Sequence, residues 1–371
     1  MRILLSAVGT RGDVQPAIAL AIQLRDLGHA GRLCVPPNFV DEVVGLGFEA
    51  RSIGVEMRAP PPGVAPPPVP DLIADQFAVV SAAAEGCDQI VGAGAHQYAA
   101  RSVAQARGVP CVVAVYAPTS LPSPDAAAWD AQRQGWNRRA LDRVNANRAG
   151  LGLAPIADVL DHILGDEPWL AADAVLGPAA GGGVVQTGAW ILEDARPLPP
   201  ELEAFLQAGD PPLYLGFGSM PASEDLGRAA IEAARAVGRR AILSRGWAEL
   251  GLIDDAPDCI AVGDVNHQRL FPRVAAVVHH GGAGTTTAAA LAGTAQVATP
   301  MFADQFYWAE RIGSLRIGAA TPAAGLTSEA LARAIEGALQ PAVAATARAL
   351  AGRVSASGAA DAARRLTTGK A

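Results

Sequence analysis

The chain is organised around the segment Val277-Val278-His279-His280-Gly281-Gly282-Ala283-Gly284-Thr285-Thr286-Thr287. β-Branched residues run into paired histidines, glycines follow, and an alanine-rich segment begins after the threonines. This order predicts a buried parallel strand, a tight turn and the N-terminus of a helix. Free amides there bind anions, and glycines let a phosphate approach. The glycines alone fit an ordinary βα turn equally well, but His280 adds a donor that can be cationic and favours an anion site.

Composition and charge exclude several classes of protein. The 371 residues are 50% hydrophobic and 18% charged, which predicts a globular chain of two domains. A net charge of −7 gives no basic surface, so we expect no nucleic-acid partner. The uncharged run 274–303 contains histidines, glycines and a proline, so we predict no membrane span. Scattered cysteines without a CxxC pair and a chain that starts directly in a strand predict a cytoplasmic enzyme.

The N-terminus predicts a βαβ unit that opens a parallel sheet. Ile3–Val8 reads as a strand, 9–13 as a turn, and Pro16 as the start of a helix. The glycine spacing matches neither a dinucleotide fingerprint nor a P-loop. It leaves Arg11 and Asp13 at the carboxyl end of a strand, where open α/β sheets bind ligands. Asp13 could also serve only as a helix cap.

Two loops and a linker divide the rest of the first half. Seven prolines between Pro60 and Pro70 predict an extended surface loop, either functional or disordered. Tyr116–Ala128 is a second loop on the ligand side, before a helix predicted over Ala131–Ala149.

We predict an N-terminal domain over 1–190, a linker over 191–210 and a C-terminal domain over 211–350. We further predict that a C-terminal helix within 351–371 packs back on the first domain.

In the second half, the chemically capable residues follow strands and should line one rim. They are Ser219, Trp247, His280, Asp304 and Gln305. A histidine at a helix N-terminus suits a diphosphate, an aromatic turn suits a nucleobase, and a carboxylate–amide pair suits sugar hydroxyls. No Asp-x-Asp motif is present, so we expect no obligatory metal ion.

The block 277–287, with Asp304-Gln305 after it, resembles the donor signature of family 1 glycosyltransferases of the GT-B fold. Similarity to actinobacterial enzymes that glycosylate vancomycin- and teicoplanin-type antibiotics extends over nearly the whole chain, at Gly12-Asp13, 34–37, 185–192, 213–219, 242–247 and 265–271. The resemblance implies an α/β architecture of two Rossmann-like, doubly wound domains facing each other across a cleft. Departures occur in the proline loop, at 116–130, and at Phe306, which replaces a frequent proline.

The resemblance also implies a role for each matched residue. The second half would bind an NDP-sugar, with UDP-hexose favoured and a dTDP-deoxyaminosugar as the other candidate. The first half would bind a glycopeptide aglycone or pseudoaglycone, and the enzyme would act as a monomer. Asp13 matches the proposed catalytic base, Asp304 and Gln305 match the sugar-binding pair, and the diphosphate positions are matched by Ser219, His280, Gly282, Gly284 and Thr285. Arg11 could reach the same diphosphate, and Trp247 and Val265 would contact the nucleoside.

The chemistry of the candidate groups predicts the reaction course. An acceptor hydroxyl is a weak nucleophile until a carboxylate such as Asp13 removes its proton. The amides and His280 would stabilise the departing nucleoside diphosphate. A single displacement with one base implies inversion at the anomeric carbon. His279, in contrast, is interpreted as a core histidine.

Other activities remain open from the sequence alone. One is a glycosyltransferase for another natural product or a sterol-like acceptor, and another is a nucleotide-sugar epimerase of the same fold. A nicotinamide oxidoreductase is disfavoured because neither half has the dinucleotide fingerprint. A catalytically silent carrier is disfavoured because His280 and Asp304 are present.

Overall fold

The computed structural model describes residues 1–57, 71–220 and 223–368. The described chain forms two compact units. The first contains 1–174, 178–192 and the residues from 356 onward, and the second contains 175–177 and 193–355. The Pro60–Pro70 segment lies outside the described residues, and its function stays open.

The first unit is a parallel sheet with helices between its strands. Its described strands are β1 (Arg2–Ala7), β2 (Ala30–Val35), β3 (Glu49–Ser52), β4 (Gln89–Ala93), β5 (Cys111–Val115), β6 (Trp169–Leu170) and β7 (Val185–Gln186). Its helices are α1 (Arg11–Asp26), α2 (Val40–Gly45), α3 (Leu72–Ala83), α4 (Ala100–Arg107), α5 (Ala126–Gly150) and α6 (Val159–Leu164), and the last helix of the chain, α14 (Gly358–Thr367), packs against α1. The strand order is β3-β2-β1-β4-β5-β6-β7.

The second unit repeats the plan. Its described strands are β8 (Leu213–Gly216), β9 (Ala241–Ser244), β10 (Cys259–Val262), β11 (Ala276–His279), β12 (Ala295–Ala298) and β13 (Gly318–Ala320). Its helices are α7 (Pro200–Gln207), α8 (Glu224–Ala236), α9 (His267–Leu270), α10 (Ala283–Leu291), α11 (Gln305–Ser314), α12 (Ser328–Ala338) and α13 (Pro341–Ala351). The order is β10-β9-β8-β11-β12-β13, and all described pairings are parallel.

Both orders step outward from a central strand in two directions, as in doubly wound folds. Central strands such as β1 and β11 are buried along nearly their whole length, because helices cover both faces of a parallel sheet. The predicted α/β class with two doubly wound halves is confirmed. Within the described ranges, no helix combines the length and apolarity needed to cross a membrane.

The first helix begins earlier than the sequence predicted. It starts at Arg11, and Pro16 lies inside it. The Asp13 carboxylate accepts the backbone N–H of Thr10 at 2.8 Å, and this N-terminal cap starts the helix five residues before the proline. The helix predicted at 131 likewise starts at 126, because Asp125 caps it.

The predicted linker 191–210 contains regular structure. Helix α7 lies within it, and its Leu202 and Leu206 are buried with Leu198 in the core of the second unit. Pro200 at the first helical position and apolar residues four apart are the signals for this helix. The change from one unit to the other falls between 192 and 193.

Candidate functional site

The loops that carry most of the predicted second-unit residues meet at one edge of the sheet. Strands β9, β8, β11 and β12 are consecutive neighbours, so the loops after their carboxyl ends lie side by side. The Trp247 N–H donates to the carbonyl of Gly218 at 3.0 Å. The Gln305 amide nitrogen lies 3.0 Å from the sulfur of Met220. The structure therefore brings together the turns at 218–220, 246–247, 280–282 and 301–305.

Val265 is placed differently from the other predicted residues. It follows β10, its side chain is 6% exposed, and it packs with Val262 and Leu270 in an apolar core. The nucleoside contact at Val265 stays a prediction. A strand-end position alone does not reveal whether a valine turns inward.

Glycines shape the turn around His280. A Cβ at Gly282 would lie 2.4 Å from Nε2 of His280, and one at Gly218 would lie 3.0 Å from its Cε1. Gly281 has φ +87° and approaches the backbone oxygen of Gln305. At Gly284, by contrast, no atom lies within 4 Å of an added Cβ. Gly282 is the N-cap of α10, so the imidazole lies beside the free amides of a helix N-terminus.

His280 is neutral where the sequence suggested a cationic donor. Burial of the ring lowers its pKa from 6.5 to about 4. Its Nδ1 is buried and has no hydrogen-bond partner among the described residues. Because unpartnered buried nitrogen atoms are rare, this atom is a candidate contact for a ligand.

His279 is a core residue, in agreement with its interpretation from the sequence. Its Nδ1 accepts the N–H of Gly281 at 3.1 Å, and its Nε2 donates to the side-chain Oε1 of Gln296 at 3.0 Å. Burial lowers the pKa of this imidazole to about 3. Gln296, which sequence reasoning did not select, extends this network to the carbonyl of Thr286 in α10.

These histidines predict a loss of stability in acid. The folded-state pKa values of His279 (about 3) and His280 (about 4) lie below the ordinary 6.5, so the unfolded chain binds more protons between about pH 6.5 and 4. The free energy of unfolding therefore falls as the pH drops through that window. The melting temperature of His280→Ala should decrease less than that of the wild type between pH 7 and 4.5. If the melting temperatures of the variant and the wild type decrease by the same amount, His280 is not a source of this pH dependence.

Asp304 lies at the N-terminus of α11 in a largely dehydrated position. Removal of its carboxyl from water raises its pKa, and Oδ2 accepts the indole N–H of Trp308 at 2.9 Å. Phe302 and Phe306, on either side, are 49% and 50% exposed. Trp308 was missed from the sequence, although its spacing of four residues on a helix was the available signal.

Gln305 turns its carboxamide toward its own loop. The residue is 3% exposed, and its oxygen accepts the N–H groups of Met301 at 2.8 Å and Phe302 at 3.3 Å. The sequence suggested that this amide faces a sugar. Asp304 and Gln305 thus have different surroundings: the carboxylate bonds the Trp308 indole, and the carboxamide bonds the backbone of its own loop.

In the first unit, Asp13 lies where the ends of β1, β4 and β5 meet. Gly9 has φ +143°, and a Cβ there would overlap the Asp13 carboxylate. A Cβ at Gly94 would lie 3.2 Å from Oδ1, and the buried Tyr116 hydroxyl donates to the Asp13 carbonyl at 3.0 Å. Burial and the nearby Asp13 raise the pKa of Tyr116 well above its ordinary value. Asp13 therefore caps α1 while its half-buried carboxyl group lies at the strand ends.

The chain matches two protein-family profiles. Residues 3–118 match the N-terminal domain of glycosyltransferase family 28, and residues 231–364 match the C-terminal domain described as erythromycin biosynthesis protein CIII-like. A vancomycin aglycone glucosyltransferase from Amycolatopsis orientalis is 45% identical, over 99% of this chain and 97% of the relative. The chain therefore belongs to the family of glycosyltransferases that these two profiles and this relative represent.

Further similarities agree with the assignment. A dTDP-epi-vancosaminyltransferase from Amycolatopsis orientalis is 45% identical, over 92% of this chain and 90% of the relative. The crystal structure of the glycosyltransferase of kitacinnamycin superposes with a TM-score of 0.78 at 19% identity and covers 98% of both chains, which shows the fold. This glycosyltransferase has the GT-B fold. Asp13 lies inside the segment that matches the N-terminal profile, and His280 and Asp304 lie inside the segment that matches the C-terminal profile. The family is one of transferases, so the epimerase and oxidoreductase alternatives are not supported.

Proposed function

We propose that this glycosyltransferase moves a sugar from an NDP-sugar to a hydroxyl of a glycopeptide antibiotic aglycone or pseudoaglycone. Similarity over nearly the full length to enzymes named for the vancomycin aglycone and for epi-vancosamine supports this acceptor class. The observations that carry a donor site are the unpartnered Nδ1 of His280 and the position of Nε2 of the same ring beside Gly282, the N-cap of α10.

The donor diphosphate binds at the turn after β11. The first amides of α10, including those of Gly284 and Thr285, face outward from the helix and attract a negative charge. His280 and the Ser219 hydroxyl add hydrogen bonds to the same group. Trp247 stacks on the nucleobase, and the Asp304 carboxylate accepts sugar hydroxyls.

Asp13 acts as the general base. It removes the proton of the acceptor hydroxyl as the oxygen forms a bond to the anomeric carbon. The bond from that carbon to the diphosphate oxygen breaks, and the helix amides and His280 stabilise the departing negative charge. One displacement inverts the anomeric configuration.

The donor and acceptor are tested together by mass spectrometry of products from glycopeptide aglycones mixed with a panel of UDP- and dTDP-sugars. We expect a hexose adduct from a UDP-hexose, with a dTDP-deoxyaminosugar as the alternative donor. Products formed only on sterol or other natural-product acceptors would overturn the acceptor class while leaving glycosyl transfer intact. The predicted monomer and cytoplasmic location remain predictions that size-exclusion chromatography and cell fractionation test.

Transfer should proceed without a divalent metal ion, because helix amides and a histidine stabilise the diphosphate instead. Among the described residues, no group of three or more His, Cys, Asp or Glu is arranged to hold a metal ion. We expect an unchanged rate in excess EDTA. A rate that vanishes in EDTA and returns with magnesium or manganese would contradict this mechanism.

A glycine of the turn and a glycine outside the site offer a matched test. Gly282→Ala should displace the His280 ring, since the new Cβ would lie 2.4 Å from Nε2. Nucleotide affinity should then fall about as far as in His280→Ala, with little further loss in the double variant, because both act through one contact. Gly337→Ala, in α12 of the same unit, is the control, because no contact is found within 4 Å of a Cβ added there. Additive losses in the double variant would show that Gly282 acts independently of His280.

A further inference from the structure

Arg148, near the end of α5, is a buried cation that no carboxylate contacts among the described residues. The residue is 3% exposed, and its guanidinium forms no ion pair in the described parts of the chain. Burial lowers the pKa of this group, but an arginine keeps its charge at physiological pH. The first acids that follow it in the chain, Asp158 and Asp161, pair with Arg133 instead.

All five N–H groups of Arg148 are used inside the protein. Nε and Nη2 donate to the carbonyl of Ala154 at 3.0 and 2.7 Å. Nη1 lies 2.9 Å from Oγ of Ser102 and 3.3 Å from Nε2 of His162, and Nη2 lies 3.2 Å from Oε1 of Gln105. Because a guanidinium has donors and no acceptor, each neighbour must turn an acceptor toward it.

This orientation leaves the donors of two neighbours available. With Oε1 of Gln105 facing Arg148, both N–H groups of its amide remain for another partner. His162 accepts at Nε2, which also lies 2.8 Å from the Ser102 hydroxyl, so its proton is on Nδ1. Burial, together with the charges of Arg148 and Arg101, lowers the pKa of this imidazole to about 4, so it is neutral at pH 7.

These two neighbours of Arg148 also line a cavity of about 290 Å³ between α4, β5 and α6. Arg101 joins them there. It donates from Nε and Nη2 to the carbonyls of Ile163 and Leu164 and keeps three further N–H groups. None of the described lining residues is acidic, and they are Arg101, Ala104, Gln105, Val109, Cys111 and His162. The cavity therefore offers positive charge and several hydrogen-bond donors.

We propose that this cavity binds a small tetrahedral oxyanion, either inorganic phosphate or the phosphoryl group of a phosphate monoester. Arg101 supplies a charged donor, and Gln105 and His162 add N–H groups. Arg148 holds these two side chains in the required orientation and adds its own positive charge. The cavity includes Cys111, the first residue of β5, whereas Asp13 lies where the strands end. It also belongs to the first unit, and α10 belongs to the second.

Gln105→Glu tests the cavity by reversing its charge. The new carboxylate can still accept the Arg148 N–H, but its other oxygen repels an anion. Isothermal titration calorimetry should detect phosphate binding to the wild type at millimolar concentration and an affinity at least about tenfold lower in the variant. The melting temperature without phosphate should not fall, because the carboxylate pairs with a buried cation, so unfolding would not explain the loss.

Gln134→Glu, at an exposed position of α5, makes the same change in net charge away from the lining residues and is the control. It should bind phosphate as the wild type does. No phosphate binding to the wild type, equal affinity in the wild type and Gln105→Glu, or equal weakening in both variants would overturn the proposal.

Two further titrations locate the anion and identify its source. Saturating UDP or dTDP should leave the phosphate affinity unchanged, whereas competition would place the phosphate at the nucleotide site and overturn the proposal. Glycerol phosphate, at the same ionic strength, tests for a monoester. Equal affinity supports a metabolite that carries a phosphoryl group, and weaker binding supports the inorganic ion.

Discussion

Asp13→Asn is expected to lower kcat by about 10²–10⁴-fold, the usual contribution of a general base. Asparagine has nearly the same size and cannot take a proton from the acceptor. Its side-chain oxygen can still accept the Thr10 N–H that Asp13 binds at 2.8 Å, so the cap of α1 is preserved. Melting temperature and nucleotide affinity should therefore stay close to those of the wild type.

A second cap in the same unit provides the control for Asp13. Asp71 caps α3 through the N–H groups of Ile73 and Ala74, so Asp71→Asn makes the same chemical change at a helix terminus. It should leave kcat unchanged. If Asp13→Asn is as active as Asp71→Asn at saturating acceptor, Asp13 is a cap only, and another group must take the proton.

His280→Ala is expected to weaken the binding of UDP or dTDP by about 1.5–3 kcal/mol, the scale of a lost hydrogen bond to a charged group. The imidazole Nδ1 has no partner among the described residues, and the glycines at 218 and 282 leave space for the ring. Isothermal titration calorimetry measures the change directly. His280→Gln, which retains an N–H donor, should recover part of the affinity.

The outcome for His280 separates two roles of the residue. A structural histidine would change the melting temperature and leave the affinity of the folded protein the same. Unchanged UDP and dTDP affinity in a folded His280→Ala protein would therefore remove His280 from the donor site. The amides of α10 would then have to bind the diphosphate without it.

Prediction from the sequence succeeded where the signal is local. The strand–turn–helix order at 277–287 follows from β-branched residues, glycines and alanines in succession, and the structure has it as β11, a glycine turn and α10. The predicted start of the first helix was less accurate. Pro16 was expected to open it, but the cap formed by Thr10 and Asp13 starts it at Arg11. The linker was misread in part because a short amphipathic helix between prolines resembles a loop in composition.

The α/β class, the two doubly wound halves and the strand-end positions of Asp13, His280 and Asp304 follow from the amino-acid order alone. These features depend on residue order over a few positions, since periodicity, glycine and proline act on the local backbone. Three features became visible only in the folded chain: Gly94 and Tyr116 surround Asp13, His280 is neutral, and Gln305 turns into its own loop. These outcomes depend on burial and on contacts between residues far apart in the chain, because a pKa or a hydrogen bond responds to whatever surrounds the group in space.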